Sequence, residues 1–307
     1  IKKESSYYWD HLNIYLKKSL FGPEMIRNLF YFSLFGRISK TMQANNLIYL
    51  YENQPWELSA SYFFGKKAKR IFGFAHSSIR YWDLRYFNSQ RIYKNNSKTL
   101  FPFFCDLIVH GKKDLENMTE FGFPKEKIKE AESLRYIYLN KYLSTSIKHK
   151  MSNTFLVLGE YLRSDTKFMV DLLTSENVKE VLENYKTIFK PHPLCPVKKS
   201  DFKDLNVEIN FSAPGKLISQ SDLVFVGNVS SVASEVITLG KQLICAKDLT
   251  LLDMSPLRGY KGISFTVDSD SFSKELRKKT SVQKDTHQES ILNLDESLKL
   301  WRNILKI

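Results

Sequence analysis

Short apolar runs alternate with amphipathic segments along most of the chain. Apolar runs bounded by turn residues predict strands, and these runs are NLIYLYEN, RIFGFAHS, DLIVHG, TFLVLGEY, TIFKPHP, NVEINFS, DLVFVGN, LICAK and GISFTV. Between them, apolar residues at helical spacing predict helices, as in WELSASYFFGKKA, KKDLENMTEFG and SSVASEVITLGK. Strands that alternate with helices form βαβ units, so the pattern predicts an α/β fold with parallel sheets.

The alternation follows a helical N-terminal stretch of about forty residues and is interrupted once. Residues 125–152 are polar and lack a strong strand pattern, so we place a domain boundary there. We expect a Rossmann-like domain over residues 1–145, trimmed at its start because the chain begins with Ile1, and a second Rossmann-like domain over residues 146–307. Two such domains would face a central cleft.

The chain ends in a pattern that predicts a helix crossing back to the first domain. Leu298, Trp301 and Leu305 have the spacing of one helical face. At an earlier predicted helix end, we expect Lys241 to be a solvated charge.

Composition and charge narrow the classes of partner. The chain has 307 residues, 43% of them hydrophobic, and a net charge of +13, which favours an anionic partner. Cys105 and Cys245 stand in apolar runs and are expected in the core, and no Cys/His cluster suggests zinc. The most apolar early stretch, MIRNLFYFSLFGRI, is too short to span a bilayer and is expected to be a core helix, with an interfacial helix as the alternative. We therefore expect a cytoplasmic protein.

Basic and aromatic residues are concentrated between Ser61 and Leu100. Such a mixture can stack bases in a nucleic-acid groove, or it can contact an anionic inner membrane peripherally. A solvated basic face with core aromatic residues behind it would give the same pattern.

The segment FVGNVSSVASEV predicts a phosphate site. A buried strand ends at Val226, Gly227 and Asn228 form a turn, and Ser230 and Ser231 are expected to cap a helix whose N–H groups bind an anion. Glu235 lies one turn further along, where a carboxylate can accept from ribose hydroxyls. An ordinary capped helix with a surface glutamate is the structural alternative.

The segment FKPHPLCP places His192 between two prolines that end a strand. The carboxyl ends of parallel strands share one edge of a sheet, where open α/β folds bind ligands. His192 with Pro193, Lys190 before them, and the serine turn are therefore expected to bind a nucleotide phosphate together. The chain lacks the glycine patterns of NAD-type and P-loop sites.

The ordered pair of HP (His192-Pro193) and SS (Ser230-Ser231) resembles bacterial GT-B glycosyltransferases that use CMP-activated sugars, among them sialyltransferases, polysialyltransferases and Kdo transferases. The stretches YENQPWE and GFAHSSIRYWDLRYF resemble bacterial surface carbohydrate biosynthesis proteins. Together the resemblances cover residues 46–262. They imply a GT-B-like fold, a nucleotide-sugar donor bound by residues 146–307, and a glycan or lipid-linked glycan acceptor bound by residues 1–145.

The HP and SS pair also resembles CDP-glycerol glycerophosphotransferases. Those enzymes carry an N-terminal HG motif, whereas His76 is followed by Ser77, and the HG at His110-Gly111 lacks the surrounding pattern. This departure makes a phosphotransferase the second choice. An enzyme that uses a UDP-sugar ranks third, because no glutamate-rich or glycine-rich nucleotide loop is found.

Candidate catalytic residues stand at strand ends. Glu52, His76 and Glu160 each follow a predicted strand, where a base for the acceptor hydroxyl would lie. A structural role is the alternative, with Glu52 as a helix cap and His76 as a loop histidine. No carboxylate pair suggests a metal, so we expect no metal or cofactor and stabilisation of the leaving phosphate by N–H groups and His192.

Three charged residues of the SSIRYWDLRYF stretch are candidates for substrate binding. Arg80 and Arg85 would bind a sugar carboxylate or an anionic acceptor, with Asp83 beside them; surface arginines are the alternative. A nucleic-acid-binding protein remains the alternative of a different class. We expect no nucleic acid, because the charge lies in one half and the predicted phosphate site is small.

Overall fold

The structure is a computed structural model that describes residues 6–65, 68, 70–86, 105–148, 152–278 and 291–307. Its helices are α1 (Ser6–Phe21), α2 (Pro23–Thr41), α3 (Pro55–Phe64), α4 (Lys112–Glu120), α5 (Asn140–Lys148), α6 (Arg163–Leu173), α7 (Glu176–Leu182), α8 (Pro214–Ser219), α9 (Val232–Thr238), α10 (Ser269–Arg277) and α11 (Lys299–Leu305). Its strands are β1 (Asn46–Tyr51), β2 (Arg70–Ala75), β3 (Asp106–Val109), β4 (Ile128–Glu130), β5 (Thr154–Leu158), β6 (Lys186–Lys190), β7 (Val207–Ile209), β8 (Leu223–Gly227), β9 (Gln242–Ala246) and β10 (Ile263–Thr266). The predicted α/β class and its parallel sheets are confirmed.

The first sheet has the strand order β1-β2-β3-β4, and β2 pairs in parallel with both β1 and β3. The register pairs Tyr51, the last residue of β1, with Ala75, the last residue of β2. The next residues along the two strands are Glu52 and His76. The register therefore brings these two side chains to the same edge of the first sheet.

The second sheet has the strand order β10-β9-β8-β5-β6-β7, and every neighbouring pair is parallel. Its first strand in the chain, β5, lies in the middle. The chain continues to β6 and β7 on one side, then returns to β8, β9 and β10 on the other, which is the Rossmann order. The direction of winding reverses between β5 and β8, and such a switch point opens a crevice at the carboxyl edge of the sheet.

Both faces of the second sheet are covered, which explains why its central strands are continuous apolar runs. One apolar cluster packs the side chains of α8 and α9 against one face and includes Leu156, Leu217, Val224 and Val236. A second cluster packs α6, α7 and α10 against the other and includes Phe155, Leu173, Phe225 and Phe272. Cys245 is buried in the first cluster, and Cys105 is also buried, as predicted.

Three elements were not predicted from the sequence: β4 and α5, which both lie within residues 125–152, and α10. The strand β4 lies inside the polar segment 125–152 and has only three residues, too few to show an alternating pattern. The helix α10 buries Phe272 and Leu276, a single apolar pair at four-residue spacing in an otherwise polar segment. Lys241 is buried, not solvated, and its Nζ lies 3.5 Å from the carbonyl oxygen of Ser146.

The final helix begins after Leu298, which has a left-handed backbone (φ 54°), so the predicted apolar face loses its first member. Glu132 holds the start of the helix: its carboxylate accepts from the N–H groups of Leu300 (2.7 Å) and Trp301 (3.0 Å). The Trp301 indole donates to the Glu132 carbonyl at 2.8 Å. The helix thus contacts a residue of the expected first domain.

The chain forms two compact units. The first comprises Ile1–His76, Asn88–Ile108 and Glu126–Lys129, and the second comprises Ser77–Phe87, Val109–Lys125 and Glu130–Ile307. The segments that follow β2 and β3, namely Ser77–Phe87 and Val109–Lys125, thus belong to the same unit as the second sheet. The domain division after residue 145 and the cleft stay predictions.

Candidate functional site

The switch point of the second sheet carries Glu160, which follows β5, and Gly227, which ends β8. Glu160 is 4% exposed, and its Oε1 accepts a hydrogen bond from the Gly227 N–H at 3.1 Å. A Cβ at position 227 would lie 2.6 Å from Cγ of Glu160, so only glycine allows this approach. The structure therefore builds a carboxylate into the crevice where a Rossmann fold binds its ligand.

Burial raises the pKa of Glu160 to about 7, because a charged carboxylate loses its hydration there. A hydrogen bond with Ser230 opposes this rise, Asp165 adds to it, and the positive charge of Arg80 opposes it. A carboxyl group with such a pKa exchanges its proton near neutral pH. Glu160 is therefore suited to general acid–base chemistry.

His192 lies two residues beyond β6 and is partly exposed. Its Nδ1 accepts from the N–H of Leu194 at 3.1 Å, so the neutral ring carries its proton on Nε2. The ring of Tyr161 packs edge-on against it, with 6.2 Å between the centroids. This arrangement fixes a donor at the carboxyl edge of the sheet, as a phosphate contact requires.

Lys190 and Pro193 flank the same turn. Lys190 ends β6, and its carbonyl accepts from the N–H of Gly159 at 2.9 Å, which ties this turn to the turn that carries Glu160. Pro193 is exposed and makes the turn rigid through its fixed φ.

The turn after β8 differs from the prediction in one respect. Ser231 stands at the N-cap position of α9, but its side chain makes no capping hydrogen bond, and the helix has only seven residues. Ser230 instead contacts the carboxylate of Glu160. The predicted helix cap is therefore wrong, because the serine side chain serves the buried glutamate.

Asn228, in the same turn, donates through its side chain to Asp253. A carboxylate only accepts, so this bond fixes the amide orientation. Oδ1 of Asn228 is buried and accepts no hydrogen bond from the residues that the structure describes.

Glu235 is buried in α9, so the alternative of a surface glutamate is wrong. Its Oε2 accepts from the hydroxyl of Tyr138, a residue that no sequence signal connected with it. Burial raises the pKa of Glu235, and the Tyr138 bond and the charge of Arg135 oppose the rise. This carboxylate lies on α9, the helix that we expected to bind ribose. It already accepts a hydrogen bond from the Tyr138 hydroxyl.

Arg80, Asp83 and Arg85 form one cluster in the second unit. Asp83 is 3% exposed and accepts from Nε (3.0 Å) and Nη2 (2.7 Å) of Arg85. Burial would raise the pKa of Asp83, but the hydrogen bonds and charge of Arg85 and the charge of Arg80 outweigh burial and lower it. Arg85 is thus committed to a buried ion pair, whereas Arg80 makes a longer hydrogen bond to Asp83 (3.3 Å).

The loop that carries these arginines is fixed by residues that the sequence did not single out. The Asp114 carboxylate accepts from the N–H of Ile79 at 2.9 Å, and burial raises the pKa of Asp114 to about 7. Tyr81 donates its N–H to the carbonyl of Ser255, and the Arg258 guanidinium lies 4.1 Å from the centre of its ring. An acidic residue in the first turn of a helix is common, so the sequence offers no signal for the role of Asp114.

The remaining catalytic candidates lie in the first unit. Nδ1 of His76 lies 3.6 Å from Oε1 of Glu52, and both side chains are partly exposed. Gln54 is the N-cap of α3, and the carboxylate of Glu57 completes a capping box by accepting from the N–H groups of Glu52 and Gln54. The alternative of Glu52 as that cap is therefore wrong.

A small pocket, open to solvent, lies beside the switch point. Its walls come from the start of α6, the turn after β8 and the loop after β9, and are mainly apolar, with Phe168, Met169, Leu251 and Leu252. Asn228, Asp165 and Asp248 add polar groups. The pocket thus places apolar walls and a few polar groups beside the turn after β8.

Two further predictions concern metals and the basic stretch. Among the described residues, no group of His, Cys, Asp or Glu side chains could hold a metal ion. The described residues omit 66, 67, 69 and 87–104, so most of the basic side chains between Ser61 and Leu100 lie outside them, whereas Arg70, Arg80 and Arg85 are described.

Comparison with solved structures shows the fold. A UDP-GlcNAc 2-epimerase from Methanocaldococcus jannaschii superposes with a TM-score of 0.59 at 13% identity, over 93% of this chain and 84% of that one. The UDP-GlcNAc 2-epimerase from Neisseria meningitidis, bound to UDP-GlcNAc, gives 0.53 at 11% identity, over 91% and 81%. The glycotransferase of kitacinnamycin gives 0.51 at 11% identity, over 86% and 77%. The predicted GT-B-like fold is thus confirmed.

No protein-family model matches the chain, and no curated protein matches its sequence significantly. The resemblance to CMP-sugar transferases and surface carbohydrate proteins therefore stays a prediction.

Proposed function

We propose that this chain is a glycosyltransferase that moves a sugar from a CMP-activated donor to a bacterial surface glycan, without a metal ion. One observation carries the proposal. The turn that holds His192 and the hydrogen bond between Glu160 and Gly227 lie at the same edge of the second sheet. The fold shared with an epimerase bound to UDP-GlcNAc supports a nucleotide sugar as donor.

The donor phosphate would lie across the ends of β6, β5 and β8. Neighbouring strands are about 4.8 Å apart, so the His192 and Ser230 turns lie on strands about 10 Å apart. Nε2–H of His192 and the Lys190 ammonium would donate to the phosphate oxygens, while Ser230 keeps its contact with Glu160. Such fixed donors stabilise the negative charge that grows on the leaving phosphate.

The transfer step exchanges one bond for another. The bond between the anomeric carbon and the phosphate oxygen breaks, the acceptor oxygen bonds to that carbon, and CMP leaves with the electron pair. The acceptor proton would pass to Glu52, which His76 contacts. Glu160, with its pKa near 7, would supply a proton to the departing phosphate.

An acidic donor sugar, of the nonulosonic or Kdo type, is supported by the state of the two arginines. Arg85 is held by Asp83, but Arg80 makes one longer bond to Asp83, and its charge acts on Glu160. Arg80 would bind the sugar carboxylate, since guanidinium and carboxylate groups match in geometry.

The test is thermal stabilisation by CMP, CDP, UDP, GDP and AMP. A ligand at one hundred times its Kd adds about 2.7 kcal/mol to the stability of the folded state. His192→Asn keeps an acceptor for the Leu194 N–H but removes the distal donor, whereas His192→Gln places an amide near the position of Nε2. We expect CMP to raise the melting temperature of the wild type. The His192→Gln variant should retain part of this rise, and the His192→Asn variant should lose it.

Lys190→Ala is paired with Lys186→Ala, which removes a lysine at the opposite end of the same strand. We expect only Lys190→Ala to weaken stabilisation by CMP. Equal loss in the two lysine variants, or an unchanged CMP effect in His192→Asn, would refute the proposed phosphate site.

A UDP-sugar enzyme, ranked third on the sequence, becomes the second candidate because the similar Neisseria epimerase is bound to UDP-GlcNAc. Preference for UDP over CMP would select it, and NMR of the product would separate epimerisation from transfer. No nucleotide response, together with salt-sensitive oligonucleotide binding, would instead support the nucleic-acid-binding alternative.

A further inference from the structure

The helix α1 exposes an apolar stripe along its whole length. Tyr8, Leu12 and Tyr15 follow helical spacing and are 72%, 57% and 67% exposed. Leu16, four residues after Leu12, and Leu20, four residues after Leu16, continue the stripe at 48% and 49%. The helix has sixteen residues, so the stripe is about 24 Å long. An exposed apolar stripe of this length indicates an interaction surface.

The helix α2 has one packed face and one exposed face. Its packed face meets α3, where the Phe32 and Phe63 rings lie 4.7 Å apart and the Phe35 and Trp56 rings 6.2 Å apart. Its exposed face carries a row at helical spacing that starts with apolar residues and ends with basic ones: Ile26, Phe30, Arg37 and Lys40. The prediction of a buried core helix over this stretch is therefore wrong, since Ile26 is 71% and Phe30 62% exposed.

Positive charge accompanies these apolar faces. The described residues of α1 and α2 include Lys17, Lys18, Arg27, Arg37 and Lys40, against Asp10 and Glu24. On α1, Lys17 and Lys18 lie away from the apolar stripe, on a side that also exposes Ile14 (51%) and Phe21 (84%). Exposed aromatic and aliphatic residues accompanied by lysine and arginine are typical of a helix that lies in a membrane interface.

We propose that α1 and the exposed face of α2 form a docking surface for an anionic phospholipid bilayer. The apolar stripes enter the boundary between headgroups and acyl chains, and the basic residues contact anionic headgroups. Within the described part of the chain, no helix is long and apolar enough to cross a membrane. The helices would therefore lie along the surface.

Charge complementarity favours a bilayer over a second copy of this chain. A second copy also carries a net charge of +13, so pairing two copies through α1 and α2 brings like charges together, whereas an anionic surface attracts them. The stripe supplies apolar area, which a phosphate backbone cannot cover. An anionic bilayer provides both the apolar layer and the negative charge.

The experiment measures binding of the purified chain to sedimented vesicles of phosphatidylglycerol and phosphatidylcholine, with pure phosphatidylcholine as reference. We expect at least tenfold tighter binding to the anionic vesicles and weaker binding in high salt. Leu12→Ser with Leu16→Ser should reduce binding at least tenfold. The matched control, Leu134→Ser with Leu249→Ser, changes two leucines that are 44% and 70% exposed in the second unit and should leave binding unchanged.

Trp9, 44% exposed, reports insertion directly. Brominated lipids should quench tryptophan emission in the wild type, and Trp9→Phe should lose most of this quenching while it still binds. These positions are exposed, so each variant should keep the wild-type Tm, which separates lost binding from lost folding. Equal binding to neutral vesicles, or full binding by the leucine variant, would overturn the proposal. So would a dimer in light scattering that the leucine variant abolishes.

Discussion

The carboxylate of Glu160 accepts a hydrogen bond from the N–H of Gly227 at 3.1 Å and thereby joins the ends of β5 and β8. These strands are neighbours at the point where the winding of the second sheet reverses. The bond therefore sets a buried acid at the place where the fold opens for a ligand. Two predictions follow from this contact.

The first concerns the pH dependence of stability through Glu160. Its pKa of about 7 in the folded state exceeds its ordinary value of 4.5, so the folded state binds more protons between these pH values. Stability therefore falls as pH rises through this window. Glu160→Gln removes the ionisation, so we expect it to be up to about 3 kcal/mol more stable than wild type at pH 8. The difference in the free energy of unfolding between this variant and the wild type, measured by urea titration, should disappear near pH 5.

The control is Glu183→Gln, which removes one exposed carboxylate. The Glu160 variant should also lose most of any transferase activity, because an amide cannot supply the proton. A gap that is the same at pH 5 and pH 8 would refute the assigned pKa.

The second prediction concerns the steric fit at Gly227. A methyl group there would meet the side chain of Glu160, so we expect Gly227→Ala to destabilise the chain by about 1–3 kcal/mol. In a Glu160→Ala background the same change should cost at least 1 kcal/mol less, as a double-mutant cycle by chemical denaturation would show. If the losses of stability from Gly227→Ala and Glu160→Ala are additive, the backbone conformation, and not contact with Glu160, requires glycine at position 227.

Asp83 should stabilise the loop that carries Arg80 and Arg85. Asp83→Asn weakens charge-assisted hydrogen bonds, and we expect a loss of about 2–3 kcal/mol at pH 7. The pKa of Asp83 is lowered below 3.8, so its contribution is complete above pH 3.8 and lost as the pH falls through the folded-state value. The difference between variant and wild type should therefore shrink in acid.

Asp171→Asn is the matched control, because it breaks an exposed ion pair with Lys167. Its effect should stay within about 0.5 kcal/mol. If both variants behave alike, the Asp83 cluster does not hold the loop.

Glu52 and His76 should act together in catalysis. Each single alanine variant is expected to lower kcat about 10²–10⁴-fold, the range for loss of a general base, and the double variant should lose little more. Stabilisation by CMP should be unchanged, because these residues are proposed to serve the acceptor. If the decreases in kcat of the two single variants multiply in the double variant, the shared role is contradicted. Weaker stabilisation by CMP in any of these variants would also contradict it.

The strand ends show what the sequence pattern could determine. Apolar runs between turn residues located every strand of the second sheet, and prolines beside His192 marked where β6 stops. Since parallel strands place their carboxyl ends at one edge, the sequence also grouped Glu160, Gly227 and His192 at that edge, and Glu52 with His76. These inferences need only local periodicity and the direction of the strands.

Other features depended on which segments pack together. The Ser231 cap is absent, Lys241 is buried, and Tyr138 donates to Glu235, although each sequence context looked ordinary. Burial is a property of the surroundings in space, and it sets the pKa of Glu160 and Asp114. No local pattern contains that information.

The sequence by itself thus determined the α/β class, the strand ends and the residue types that stand there. Only the tertiary structure decided which of those residues are buried, which are paired and which meet, as Arg85 meets Asp83 and Glu160 meets Gly227. The physical reason is that periodicity is encoded over neighbouring residues, whereas desolvation and close contact arise between residues far apart in the chain.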